Sequence, residues 1–137
     1  MASILTPALA LICLTLLVWI WMYATRIPAM QKAGIRPDEG RHAREMNARL
    51  PSSARQVADN YNHLLEQPTI FYALVFYIVL AGISDVLFIQ LAWVYVGLRV
   101  LHTLIQCTVN IVMLRFTVFS ISTIVLMVMA VRAILML

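Results

Sequence analysis

Asp59-Asn60-Tyr61-Asn62-His63-Leu64-Leu65-Glu66-Gln67-Pro68-Thr69-Ile70-Phe71-Tyr72 is the stretch on which the fold turns. Here the one long polar segment runs into an apolar run that continues almost unbroken to Ile83, and His63 and Glu66 are carried across the border. On a helix, Asp59, His63 and Glu66 fall at i, i+4 and i+7, with Asn62 beside them, so the four share a face. An ionisable group below the headgroup level is costly, faces protein or a water-filled cavity, and marks a functional candidate. Glu66 therefore needs a partner from elsewhere in the chain.

Composition fixes the class around that stretch. Of 137 residues, 63% are apolar and 12% charged, and the mean hydropathy is +0.90. A soluble domain has nowhere to bury so much apolar surface, so the chain is all-α and membrane-embedded. At ~20 residues per crossing, the length holds about four spans. They are expected over about residues 5–25, 57–83, 86–109 and 116–136, with a loop over about 27–56 and one domain over 1–137. The first span lacks a basic leading region and is too long for a signal-peptide core, so it reads as retained.

Seven basic residues, Arg26, Lys32, Arg36, Arg41, Arg44, Arg49 and Arg55, fall in or beside the loop, where Asp38, Glu39, Glu45 and Asp59 interleave with them. That mixture, flanked by spans, fits the positive-inside effect and not a nucleic-acid surface, so the loop is placed in the cytoplasm. Cys13 and Cys107 lie in apolar segments and read as packing thiols.

Around these anchors the details follow. Trp19, Trp21 and Tyr23 form an interfacial belt at the end of the first span, and Pro28 is expected to limit its regular continuation. Residues 33–40 have the glycine and proline of a turn, and a short surface helix is expected before Leu50. Ser52 or Ser53 is expected to cap a helix beginning near Ala54. Pro68 removes a backbone hydrogen bond and loosens the turn around His63 and Glu66. Asp85 can cap the third span after the tight connection Gly82-Ile83-Ser84. The third span carries Arg99, His102 and Gln106 at i, i+3 and i+7, with Tyr95 and Asn110 one turn to either side. A polar stripe on an apolar helix must face protein or enclosed solvent. Arg115 opens the fourth span, and Arg132 near its end is expected to snorkel to headgroups. Span parity then puts the 109–115 link, Arg115, Asp59 and His63 at the same end, so the two polar stripes converge.

Two readings of that convergence stay open on chemistry alone. Arg99, Arg115 and His102 could simply neutralise Glu66 and Asp59. Alternatively they line a pocket for a small zwitterion. An arginine would hold a carboxylate, Glu66 an ammonium and His102 a further polar group, and a sulfur near Arg115 would be favoured as the reactive thiolate. His63-x-x-Glu66 has metal-ligand spacing, but cysteine ligands are missing and one carboxylate is deep, so no metal is expected. His42 reads as a solvated loop residue, and no Ser-His-acid motif is present. Phe71, Tyr72, Phe76 and Tyr77 read as packing and interfacial residues.

As a set, four features resemble the MAPEG family, the membrane-associated proteins in eicosanoid and glutathione metabolism, in a short bacterial-type form. They are Arg26-x-x-Ala-x-x-x-Ala-Gly-x-x-Pro-Asp-Glu at the span-to-loop junction, Asn62-His63-Leu-Leu-Glu66-x-Pro68 on the second span, Arg99-Val-Leu-His102-Thr on the third, and Arg115 at the family's spacing from Arg99. The resemblance spans essentially the whole chain. It implies a four-helix subunit of a homotrimer in a bacterial inner membrane, with glutathione as co-substrate between subunits on the cytoplasmic side. It further implies transferase or peroxidase activity on a lipophilic small molecule from the bilayer. By position, Arg26, Asn62, His63, Glu66, Arg99, His102 and Gln106 would bind glutathione and Arg115 would activate its thiol. The chain departs from the pattern at His63, where the signature has asparagine, and at Asn62, where many members have arginine. Gln106 stands for a tyrosine and Phe116 for a small polar residue.

Overall fold

The computed structural model describes residues 3–38 and 43–137, with only the backbone of residues 43 and 44. Glu39, Arg41 and His42, with the side chain of Arg44, therefore lie outside the described residues. Six helices occur in the order α1 (Leu5–Ala33), α2 (Ala43–Ala48), α3 (Ser52–Glu66), α4 (Pro68–Leu80), α5 (Val86–Cys107) and α6 (Val112–Leu135). With α3 and α4 forming one crossing, four segments are long and apolar enough to span a membrane.

Helix α1 runs through Pro28 instead of ending near it. Ala29 and Met30, just beyond the proline, pack on a small cluster of Ile35, Met46 and Leu50, and that burial offsets the one lost hydrogen bond. Gly34 ends the helix at φ 70°, where the Ile35 N–H reaches the Met30 carbonyl at 2.9 Å. A left-handed residue with that long-range closing bond satisfies the terminal carbonyls, and glycine adopts it without a Cβ clash. The short helix expected before Leu50 is α2.

Helix α3 begins at Ser52, two residues before the expected start, and no serine side chain caps it. Pro51 is extended, and its carbonyl accepts from the Ala54 and Arg55 N–H groups, both at 3.1 Å. A proline placed ahead of the first turn needs no donor there. At the α3–α4 junction Gln67 keeps helical angles (φ −65°, ψ −39°), so the axis carries on while the hydrogen-bond ladder lapses. Pro68 lacks the N–H that would reach the Leu64 carbonyl, and the Thr69 hydroxyl donates to the Glu66 carbonyl at 2.6 Å.

Gly82, also at φ 70°, turns the chain between α4 and α5. As expected, Asp85 caps α5, accepting from the Phe88 N–H at 3.0 Å. Asn110 at φ 49° makes the short return into α6, which starts four residues before the expected span, so Arg115 lies in its first turn.

Helix α1 packs on α3 and α5, α5 packs on α6, and α4 touches α1 and α6. The core is centred on Phe71, Val75 and Ile78 of α4, Phe88, Ala92 and Tyr95 of α5, and Met129 of α6, all fully buried. Phe71 and Tyr95 stack with centroids 4.5 Å apart and planes 15° apart. Only 28% of the most apolar window of α1, and of α6, is buried. Leu9, Leu16, Leu17, Ile20, Ile124 and Met127 stay exposed on the outside, as the lipid-facing surface of a membrane bundle requires.

Antiparallel crossing places residues 34–38 and 43–50 and the 108–111 link at one end, where the Gln56 side chain donates to the Thr108 carbonyl at 3.2 Å. At the other end Arg132 grips Asp85 with two bonds of 2.9 and 2.6 Å, its guanidinium 4.4 Å from the Phe88 ring centre. Arg132 therefore folds back on the protein instead of reaching for headgroups. A matched carboxylate one loop away, with an aromatic face below, outcompetes an extended rotamer.

Candidate functional site

The polar stripes of the second and third spans meet near the loop end of the bundle. A cavity of about 300 Å³ is lined by Asp59, Asn62, His63 and Glu66 of α3, Gln106 of α5 and Arg115 of α6. Beside it lies a second, of about 210 Å³, lined by His63, His102, Val112, Arg115, Phe116 and Phe119. One is largely polar and the other largely apolar, and His63 and Arg115 belong to both walls.

Local sequence explains the placement. Helix α3 buries Ala54, Val57, Ala58, Asn60 and Leu64, which turns Asp59, Asn62 and Glu66 outward. His63 sits at the edge of the two faces, half-buried, with its ring centre 5.4 Å from that of His102 and 5.9 Å from that of Phe119. On α5, Arg99, His102 and Gln106 are all buried, as the stripe demands.

Neutralisation within the chain, one of the two open readings, is not seen among the described residues. Glu66 and Asp59 are exposed and form no ion pair among the described residues. Arg99 is fully buried, yet all three of its guanidinium nitrogens lack a hydrogen-bond partner. The Phe119 ring, 5.8 Å away, provides cation–π contact. His102 Nδ1 and Gln106 Oε1 are likewise buried without partners. Buried polar groups nearly always have partners, so this concentration of unmet donors and acceptors calls for something polar from outside the chain.

Arg26 does not join this cleft. It donates to the Asn47 side-chain oxygen at 2.6 Å and lines a separate cavity of about 570 Å³ with Tyr23, Ile27, Met30, Ile35 and Met46. No three His, Cys, Asp or Glu side chains cluster as metal ligands among the described residues.

Sequence reasoning missed the polar residues that bond across helices. Asn60, fully buried, donates to the Thr103 hydroxyl at 3.1 Å. Gln67 accepts from the Tyr95 hydroxyl at 3.1 Å and donates to the Thr123 hydroxyl at 2.7 Å. For Asn60 a signal existed, since it lies on the face of Val57 and Leu64 at helical spacing, opposite Asp59 and Asn62. These groups carry the structural polarity, while the charged residues of the cleft remain unbonded.

The MAPEG family model matches residues 4–135, nearly the whole chain. No curated protein and no solved structure matches it. The four apolar crossings agree with that match, and the protein belongs to the MAPEG family.

Proposed function

We propose that the protein is a membrane-embedded glutathione-dependent transferase or peroxidase acting on a lipophilic electrophile. The observation that carries this reading is that Arg115 stands in the wall common to a polar cavity and an apolar one. A hydrophilic thiol and a lipophilic partner must meet at one point, and a cation there favours the thiolate. Family membership, in proteins of glutathione and eicosanoid metabolism, supports the choice of thiol.

The residues of the cleft suit a zwitterionic peptide. Glu66 and Asp59 suit its ammonium and Asn62 and Gln106 its amide groups, while Arg99, buried outside the cavity lining, adds positive charge at longer range. Arg115 then stabilises negative charge on sulfur. In a transferase step a carbon–sulfur bond forms as the electrophile's leaving group departs with its electron pair, or a conjugated double bond takes up the charge. In a peroxidase step two thiols reduce a hydroperoxide to an alcohol and water, leaving a disulfide. We place the site on the cytoplasmic side, between subunits of a homotrimer.

Thermal denaturation of the detergent-purified protein with glutathione, and with an S-alkyl glutathione, tests this. A ligand that binds only the folded state stabilises it by about 2.7 kcal/mol at a hundredfold excess over Kd. A saturable shift that is lost in Glu66→Gln is expected, and no shift at millimolar ligand refutes the reading.

One observation favours a second reading, a non-catalytic protein whose polar stripes hold an oligomer together. The exposed carboxylates of Asp59 and Glu66, without an ion pair among the described residues, also suit cations on a neighbouring subunit. On that account Glu66→Gln dissociates the oligomer in detergent and no thiol shifts the melting temperature.

A further inference from the structure

We propose that His63 is the proton acceptor for the bound thiol, working across the cleft from Arg115. The inference rests on the glutathione reading above and assigns the proton that this reading leaves without a destination.

The argument is one of position. A thiolate stabilised by Arg115 and reached by a lipophilic electrophile must sit where the polar and apolar cavities adjoin. Of the residues lining them, only His63 and Arg115 belong to both. An arginine does not accept a proton, because its guanidinium stays charged. The imidazole of His63 does, through a ring nitrogen.

Other candidates in the cleft are less well placed. His102 is 2% exposed and lines the apolar cavity alone. Glu66 and Asp59 line the polar cavity alone and stand away from the aromatic wall of Phe116 and Phe119. They are better placed to relay the proton outward. The step balances without further reactants. The S–H bond breaks, its electron pair stays on sulfur beside Arg115, and the proton moves to the His63 ring. From there it leaves through the open polar cavity past Glu66 and Asp59.

Charged and titratable groups from three helices lie around His63. Glu66 and Asp59 come from its own helix, Arg99 and His102 from α5, and Arg115 from α6. Positive and negative charges thus surround one imidazole, and changing any of them moves its pH dependence.

His63→Asn and His63→Gln, both amides able to hydrogen-bond but not to take up a proton, form the test. Glutathione thiolate is followed by its ultraviolet absorbance after rapid mixing with purified protein across a pH series, and equilibrium binding is measured in parallel by thermal shift. The expected result is thiolate formation slowed at least tenfold at saturating glutathione, whatever the change in affinity, with loss of the limb of the pH profile that reports the base. Added imidazole should partly restore the rate. Should one variant fail to fold, the other carries the comparison. Unchanged rates and pH profile in a folded variant that binds glutathione overturn the role of His63 while leaving the glutathione reading intact. Absence of binding and thiolate in wild type overturns both.

Discussion

Replacing Thr103 with valine tests how the bundle holds its spans together. Asn60 is wholly buried, and both ends of its amide look to one residue. Its nitrogen donates to the Thr103 hydroxyl at 3.1 Å, and that hydroxyl lies 3.5 Å from the amide oxygen. Valine keeps the shape of threonine, so Thr103→Val creates no cavity but orphans the whole amide. A buried polar group left alone costs ~1–3 kcal/mol in water-soluble proteins. In membranes the unfolded reference finds other partners, and measured interhelical couplings average ~0.6 with a maximum near ~1.7 kcal/mol. The expected loss is therefore about 1–2 kcal/mol. Asn60→Leu should cost less, about 1 kcal/mol or under, because the stranded hydroxyl can turn to the Arg99 carbonyl one turn back on α5. The double variant exchanges a polar pair for an apolar one and should recover most of the Thr103→Val loss, giving a coupling of about 1 kcal/mol or more. Reversible unfolding in mixed micelles, followed by circular dichroism, measures all four corners of the cycle. A silent Thr103→Val, or a double variant as unstable as the sum of the singles, refutes the reasoning.

Other outcomes follow from the same geometry. Arg115→Ala is expected to lower glutathione-dependent turnover about 100-fold or more, the usual cost of removing one stabiliser of developing charge, with little change in melting temperature; unaltered turnover in a glutathione-consumption assay excludes the assigned role. Asp85 is held below the ordinary carboxylate range, first by its bonds from Arg132 and then by the Phe88 N–H. Its contribution is thus present above about pH 4 and drains away as pH falls through the lowered value. An acid melting series should show that loss in wild type and a flatter response in Asp85→Asn, which already starts lower. Gly82→Ala meets no neighbouring atom, yet forces a side chain onto φ 70°, and should cost about 1 kcal/mol in the same micelle assay.

Much of the fold could be read from hydropathy alone, because lipid leaves a chain few choices: each crossing must satisfy its own backbone. The stripe of Arg99, His102 and Gln106 was equally legible, since a polar row on an apolar helix has to turn inward. So was the Asp85 cap. What escaped were decisions between local rules and tertiary partners. Pro28 does not end α1, because Ile35, Met46 and Leu50 fold back under Ala29 and Met30. Arg132 does not snorkel, because Asp85 lies within reach, a distance that no sequence spacing encodes. Asn60 and Gln67 are not legible as anchors, because an uncharged amide suits a solvated face as well as a bond across helices. In the structure these amides bond across helices, while Asp59 and Glu66 do not. Arg26 was grouped with the cleft by resemblance, whereas within the chain it serves another cavity.

The distribution of ties along α6 has a mechanical consequence. The helix is fastened at Arg132 by Asp85 and again at Thr123 by Gln67. Arg115 lies eight residues before Thr123, about 12 Å along the axis at 1.5 Å per residue, with no side-chain hydrogen bond to another helix over that length among the described residues. Over those two turns α6 is held by packing instead: Val118 is buried, and the Phe119 ring lies 5.9 Å from that of His63 and 5.8 Å from the Arg99 guanidinium. A tilt of about 5° about Thr123 would carry Arg115 roughly 1 Å, and a misplacement of that size can change a rate about 100-fold when reacting atoms must align. On the proposed reading of Arg115, the aim of its guanidinium therefore depends on the packing of one phenylalanine as well as on the Gln67–Thr123 bond.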